Sequence, residues 1–330
     1  MGKVLQTNQV NFDFARHGFF RIASCHHPSA SIFNMLSGAM SANDLDELKG
    51  IIAKGDAELG PSDVLRMVPV LHLMHEEESS WLKALIREER LLTAFQPIFD
   101  LKSGRVFAHE CLMRGKMPDG AIVAPAKMIP LARKANLMHF LDRLAQMTAF
   151  RSAVKEGVKS HLFVNFNPST VLGPNSISAL LDHLLETNIS PQQVVFEVTE
   201  SEEVADVHNL IHIMSYYQEA GFKIALDDLG SGYNGLNLLS NLRPDFVKLD
   251  AGLIRQVDMD PFRQTIASQM LSLARKLNIR TVIEGIETEG ELAWVMAQGA
   301  DYGQGYLLGR PDFKKYPEDQ VHPFIQPAAA

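Results

Sequence analysis

Along the chain, Glu110, Asn165, Glu197, Asp227, Asp228, Lys248, Glu284 and Gln304 stand at or near the carboxyl end of short apolar runs. Taken singly, each has a plain structural reading. An acid after a strand commonly caps the next helix, Asn165 and Asn167 before Pro168 suit a turn, and Lys248 beside Asp250 suits a surface pair. Together they carry more. A carboxylate buried at a strand end is costly unless it is paired or holds a cation. Here Glu110, Glu197, Asp227, Asp228 and Glu284 would share one rim, offset only by Lys248 and Arg114. Oxygen ligands without His or Cys select hard cations, Mg²⁺ or Mn²⁺, over zinc. The adjacent pair Asp227–Asp228 would let one carboxylate bridge two ions while its neighbour serves the second, the arrangement of a two-metal phosphoryl-transfer site.

The elements that must position these residues alternate between strand and helix. The apolar runs are LLTAFQPIFDL, VFAHECLMR, HLFVNFNP, VVFEVTE, KIALDDLG, FVKLD, RTVIEGIE and ADYGQGYLL. Between them lie amphipathic stretches such as SISALLDHLLET, VHNLIHIMSYYQEAG, FRQTIASQMLSLARKL and GELAWVMAQG, with Gly221 and Gly299 as C-caps. Strands that are apolar throughout imply a parallel sheet covered on both faces. Some eight such runs predict a (β/α)8 barrel, whose chemistry sits at the carboxyl ends of its strands. A doubly wound sheet fits less well, because no glycine fingerprint follows the first strand. Alternation places Glu110, Leu112 and Arg114 on one face, and Phe246, Lys248 and Asp250 on another.

Residues 1–90 read differently, as a small, mostly helical module. The stretch FARHGFFRIASCHHPSASIF has no clear period. One helix is expected from Ser41, with Asp44 completing a capping box. A second is expected from Pro61–Ser62 toward Met74, and a third over SSWLKALIREER, with Trp81, Leu82, Leu85 and Ile86 on one stripe. The chain of 330 residues has 31 Lys+Arg against 39 Asp+Glu, a net charge of −8, which argues against binding a DNA or RNA polymer. Its 2 cysteines, Cys25 and Cys111, are too few for a disulfide framework, so a reducing, cytoplasmic setting is expected. No apolar run suits a membrane span, and MGKVLQTNQVNFDF lacks the order of a signal peptide.

From Leu91 to about Phe313 the chain resembles the EAL domain, a bacterial phosphodiesterase family acting on cyclic di-GMP. The namesake motif stands here as Glu110-Cys111-Leu112, followed by Met113-Arg114. FQPIFDLKSG, PAKMIPLA, VNFNPS, FEVTES, LDDLGSGYNGL, VKLD, IEGIE and QGYLLGRP follow the family's order. The resemblance implies a modified TIM barrel with one antiparallel strand. It divides the chain into a helical module at 1–90, the EAL domain at 91–318 and a tail at 319–330.

The same resemblance implies two Mg²⁺ or Mn²⁺ ions per site. Glu110, Asn165, Glu197 and Asp227 would hold the first, and Asp227 and Asp228 the second. Lys248 is expected to orient the attacking water, with Glu284 as base or supporting partner. Gln96, Leu112, Arg114, Asp250, Glu287 and Gln304 fall at positions near the dinucleotide, Arg114 meeting a phosphate. Glu200 would anchor the loop LGSGYNG. A homodimer through the barrel is also implied.

Cys111 replaces the motif's alanine and should point away from Glu110, as a packing residue. Leu229, Ser231, Asn234 and Gly235 depart from the family's DDFGTGYSSL. The reading is an enzyme that hydrolyses cyclic di-GMP to linear 5′-pGpG; the alternatives are a silent cyclic di-GMP-binding module and a generic barrel aldolase. The Cys25-His26-His27 cluster is read as structural.

Overall fold

The structure is a computed structural model, and it describes residues 12–15, 19–22, 29–52, 61–167, 175–199, 207–230 and 235–325. Two compact units emerge: Met1–Glu88 together with Ala126–Leu137, and Glu89–Pro125 together with Met138–Ala330.

In the first unit Phe12–Ala15 and Phe19–Ile22 form an antiparallel pair, followed by a helix at Ser29–Ala39. The helix Ala42–Glu47 starts on the expected Ser41–Asp44 capping box. The helix expected from Pro61 toward Met74 is instead broken in two. It stops at Val64, Val68–Pro69 pairs with Lys49–Gly50, and a new helix runs Val70–Glu78. Pro69 is the reason: it has no amide proton, and it pushes Val68 into extended backbone. Ile32, Leu36, Leu45, Val70 and Met74 make this unit's core. Ser80–Arg87 is helical as expected, with Leu82 and Leu85 buried.

The second unit is a closed barrel. Its strands among the described residues are β1 (Leu91–Asp100), β2 (Val106–Lys116), β3 (His161–Asn165), β4 (Val194–Thr199), β5 (Lys223–Leu229), β6 (Phe246–Leu249), β7 (Arg280–Ile283) and β8 (Tyr302–Gly303). They neighbour one another in the order β1-β8-β7-β6-β5-β4-β3-β2, and β1 pairs with β2 to close the ring. Among these eight strands every pairing is parallel except those of β1, which runs antiparallel to both β2 and β8. The short strand Ile122–Val123 extends the end of β2.

Helices on the outside are α1 (Met138–Glu156), α2 (Asn175–Thr187), α3 (Val207–Glu219), α4 (Gly235–Leu242), α5 (Pro261–Lys276) and α6 (Glu289–Ala297). Asp260 caps α5 through the Phe262 amide, with Pro261 at its first position. Gly221 and Gly299 leave α3 and α6 in left-handed backbone, as a C-cap requires.

Period-two alternation sorts each strand. Outward-facing Cys111, Leu162, Val164, Phe196, Val198, Ile224, Leu226, Val247 and Ile283 join the helices in the main core. Inward-facing Ile98, Ala108, Phe163, Val195, Ala225, Phe246, Val282 and Tyr302 fill the barrel lumen.

Candidate active site

Each lumen residue fixes what comes next. Two positions beyond Ala108, Phe163, Val195, Ala225, Phe246, Val282 and Tyr302 stand Glu110, Asn165, Glu197, Asp227, Lys248, Glu284 and Gln304. All therefore face inward at the carboxyl rim, above an apolar plug. β1 runs the other way, so its contribution lies two residues before Ile98: Gln96, paired in register with Glu110.

Lys248 sits at the centre, 1 % exposed. Its Nζ lies 2.6 Å from Glu197 Oε1, 2.6 Å from Glu284 Oε1, 3.0 Å from Asp227 Oδ1 and 3.8 Å from Glu110 Oε1. Burial disfavours its charge, but these carboxylates outweigh it and hold the ammonium well above the usual lysine range. Gln304 Nε2 donates to Glu110 Oε2 at 2.5 Å, and Asn165 Nδ2 to Glu197 Oε2 at 3.4 Å.

Asp228 breaks the alternation, since the residue after an inward Asp227 should face outward. Its backbone is left-handed, with φ of 56°, and the β5–β6 register shifts between Leu226 and Leu229. Such a bulge re-aims a side chain. Carboxylate oxygens of Asp227, Asp228 and Glu284 consequently lie within 4.8 Å of one another.

This cluster carries more negative charge than Lys248 neutralises. Burial first, then the neighbouring Asp227, pushes the Asp228 carboxyl up to about 6. Burial likewise pushes Glu284 up to about 8, with Lys248 pulling the other way and Asp227 and Glu110 adding to the rise. Glu197, wholly buried, is raised as well. The side-chain Oε1 of Gln304 is buried with no hydrogen-bond partner among the described residues. Carboxyls driven toward protonation, an orphaned amide oxygen and an all-oxygen donor set fit hard divalent cations.

The other expected contacts are distributed around the rim. Gln96 Nε2 donates to Gly309 O at 3.1 Å, and Arg114 Nη1 to Met113 O at 2.8 Å. Leu112 is half-buried on the same face of β2. The Asp250 carboxylate caps a short helix through the Gly252 amide at 2.8 Å, and Glu287 pairs with Arg255 at 2.6 Å. Cys111 faces the outer core as expected, and burial raises its thiol well above the usual range. Glu200, residues 231–234 of the following loop and the Cys25-His26-His27 cluster lie outside the described residues.

Sequence reasoning missed the glycines that let the rim assemble. Gly285, directly after Glu284, has φ of 69°, and a Cβ there would overlap Ala251. A Cβ on Gly305, directly after Gln304, would overlap the Ile286 backbone. The repeated pairing of a functional residue with a following glycine, in EG and QG, is the signal that was available.

Among the described residues no helix is long and apolar enough to cross a membrane. A protein of Escherichia coli named as a probable cyclic di-GMP phosphodiesterase, PdeG, is 33% identical over 236 residues, covering 70% of this chain and 46% of its own length. The chain thus spans about half the length of that relative. A standalone EAL protein of Vibrio cholerae, solved with c-di-GMP bound, superposes with a TM-score of 0.64 at 34% identity, over 69% of this chain and 94% of that one. The manganese and cyclic di-GMP complex of Klebsiella pneumoniae BlrP1 gives 0.62 at 32% identity, over 68% and 56%. The model of the EAL domain matches residues 79–311, and with the barrel and rim described above it makes this chain a member of the EAL domain family.

Proposed function

We propose that this chain hydrolyses cyclic di-GMP to linear 5′-pGpG. The observation that carries the reading is the buried rim, in which one ammonium among the described residues, Lys248, faces Glu110, Glu197, Asp227 and Glu284. Glu110, Asn165, Glu197 and Asp227 would hold one Mg²⁺ or Mn²⁺, and Asp227 with Asp228 a second. Divalent cations there would supply Lewis acidity, polarising the phosphodiester and making a water acidic enough to lose its proton near neutral pH.

The protein's own residues do the rest. Glu284, freed of its proton where a cation offsets the neighbouring carboxylates, would act as base toward the attacking water or as a supporting partner. The Lys248 ammonium, held by its carboxylates, orients that water and meets the charge that develops on phosphorus oxygens. Gln304 fixes one oxygen of Glu110, leaving the other to its ligand role. Arg114, Gln96 and Leu112 line the approach of the dinucleotide, Arg114 offering its guanidinium to a phosphate. Asp250 and Glu287 act at the edge of the ligand, and Glu200 anchors the loop after Asp228. The proposal includes a homodimer through the barrel and residence in the cytoplasm.

Support comes from the relatives: the E. coli protein's name carries this activity, and the V. cholerae structure holds c-di-GMP. Incubation of the purified protein with cyclic di-GMP and Mg²⁺ or Mn²⁺, with products resolved by chromatography, is the test. Linear dinucleotide is expected. Folded protein that binds cyclic di-GMP by calorimetry but yields no product under either metal would make it a silent binder instead.

A further inference from the structure

The segment that follows β8 takes no part in the chemistry described above. Among the described residues no helix comes after β8. Instead the chain from Asp312 to Ile325 runs as an irregular strap over the outside of the β1–β2 hairpin. It lies beyond residue 311, where the family match ends.

Polar contacts tie the strap down. Asp312 exchanges both backbone hydrogen bonds with Phe95 on β1, its carbonyl accepting at 2.7 Å and its amide donating at 3.1 Å. Glu318 Oε1 accepts the amides of Lys159 and Ser160, each at 2.9 Å, just before β3. Lys315 Nζ reaches Gly157 O and pairs with Glu318 at 3.2 Å. The His322 amide donates to Gly104 O at 2.8 Å, and a Cβ on Gly104 would lie 2.6 Å from Ile325 O. Within the strap only His322 and Ile325 are buried. An irregular segment with so few buried side chains opens at low free-energy cost.

The same run of chain also holds the rim. Gln304 donates to Glu110 from inside the barrel, and Tyr316 donates its amide to His109 from outside, at 3.1 Å. β2 is thus gripped on both faces at adjacent residues. Between the two grips, Gly309 O accepts Gln96 Nε2, and Gln96 is paired in register with Glu110. Lifting the strap would release Phe95, His109 and the turn before β3 together, and these belong to the strands that carry Gln96, Glu110 and Asn165. We propose that docking of the strap 312–325 positions Glu110 and Asn165 for a divalent cation, with Glu318 as the positioning residue that keeps it docked. Strap docking and cation binding then strengthen one another by the same factor. The proposal rests on the rim holding a cation, and not on the rim hydrolysing a phosphodiester.

Amide hydrogen exchange on the full chain, with and without Mg²⁺, combined with calorimetric Mg²⁺ and Mn²⁺ titration, tests it. Mg²⁺ should slow exchange of the Tyr316 and His322 amides, although His322 is tied to the turn at the amino end of β2, opposite the rim. Glu318→Ala should speed exchange at those amides by at least about tenfold. It should also weaken cation affinity by at least about fivefold. Glu318→Gln keeps an oxygen that can accept the two amides, and should recover most of both effects. A merely structural role would lower the melting temperature and leave cation affinity at the wild-type value. That outcome, or strap exchange that ignores the cation, overturns the proposal and leaves the cation site standing. A folded wild-type chain that binds neither cation overturns both. A chain that couples cation to strap yet yields no linear dinucleotide upholds the proposal and removes only the phosphodiesterase reading.

Discussion

At the scale of single residues, the rim stores unbalanced charge. The Glu284 carboxyl titrates at about 8 in the folded chain and near its ordinary value when unfolded, so the folded state holds the extra proton between those values. A raised acid contributes stability that is complete below the unfolded value and is lost as pH rises through the folded one. In EDTA, the melting temperature should therefore fall as pH rises from about 4.5 to about 8, and Glu284→Gln should flatten that fall. Mg²⁺ should remove it in the wild type, and its affinity should climb with pH over the same interval. Lys248→Met is expected to act in two ways. Without its ammonium, Glu197, Asp227 and Glu284 repel one another, and urea titration in EDTA at pH 8 should show a loss of roughly 3–5 kcal/mol. With metal restored, turnover should remain at least about a hundredfold down while the Michaelis constant changes little. A rise in the Michaelis constant alone would make Lys248 a binding residue.

At the scale of elements, strands aim the rim and the turns after them set its height. Gly285→Ala forces a side chain into left-handed backbone and against Ala251, at a cost of about 1–3 kcal/mol. A lower melting temperature together with weaker Mg²⁺ binding is expected, because Glu284 is the preceding residue. On the outer face of β2, the His109 ring accepts the Tyr316 amide on Nε2 at 3.1 Å and meets Ser160 Oγ on Nδ1 at 2.9 Å. Burial lowers it to about 4. A depressed histidine contributes stability that is present above its unfolded value near 6.5 and is lost as pH falls through the folded one. His109→Leu should cost about 1–3 kcal/mol at pH 7, by stranding the Tyr316 amide, and should make the acid limb between pH 6.5 and 4 shallower.

The strand sequence made much of this legible. Lumen residues and rim residues share one parity, so Phe246 in the core predicts Lys248 at the rim. The Ser41–Asp44 box was legible because its chemistry is local. Asp228 was named from its place beside Asp227, but the bulge that turns it inward was not legible, because alternation alone contradicts it. The helix α1 was passed over because its buried positions mix Leu141, Ala149 and Phe150 with Gln146, which blurs any apolar stripe. The helix drawn from Pro61 toward Met74 followed apolar spacing through Pro69, where backbone chemistry overrides the pattern.

At the scale of the whole molecule, the family match begins at residue 79 and so takes in the helix Ser80–Arg87. The helix Pro125–Lys134 groups with Met1–Glu88, and its Met128 and Ala132 are fully buried. A chain starting at Glu89 leaves that helix without its unit. Lower melting temperature and light scattering above that of the full chain are expected, while the rim residues remain present. An equally stable, equally soluble truncation would show that the second unit stands alone. The antiparallel β1 has its own consequence, and it concerns folding. Gln96 reaches Gly309 across a sequence separation of 213 residues, and Glu110 reaches Gln304 across 194. Contacts of such separation form late, since loop closure must precede them. The β1–β2 hairpin can form early from neighbouring residues, yet the amide that steadies Glu110 arrives only with the last strand. A refolding chain should regain most of its helical signal before it regains metal affinity. Release of a metal-sensitive dye during refolding would then time the closing of the ring itself, making the site a clock for the final step.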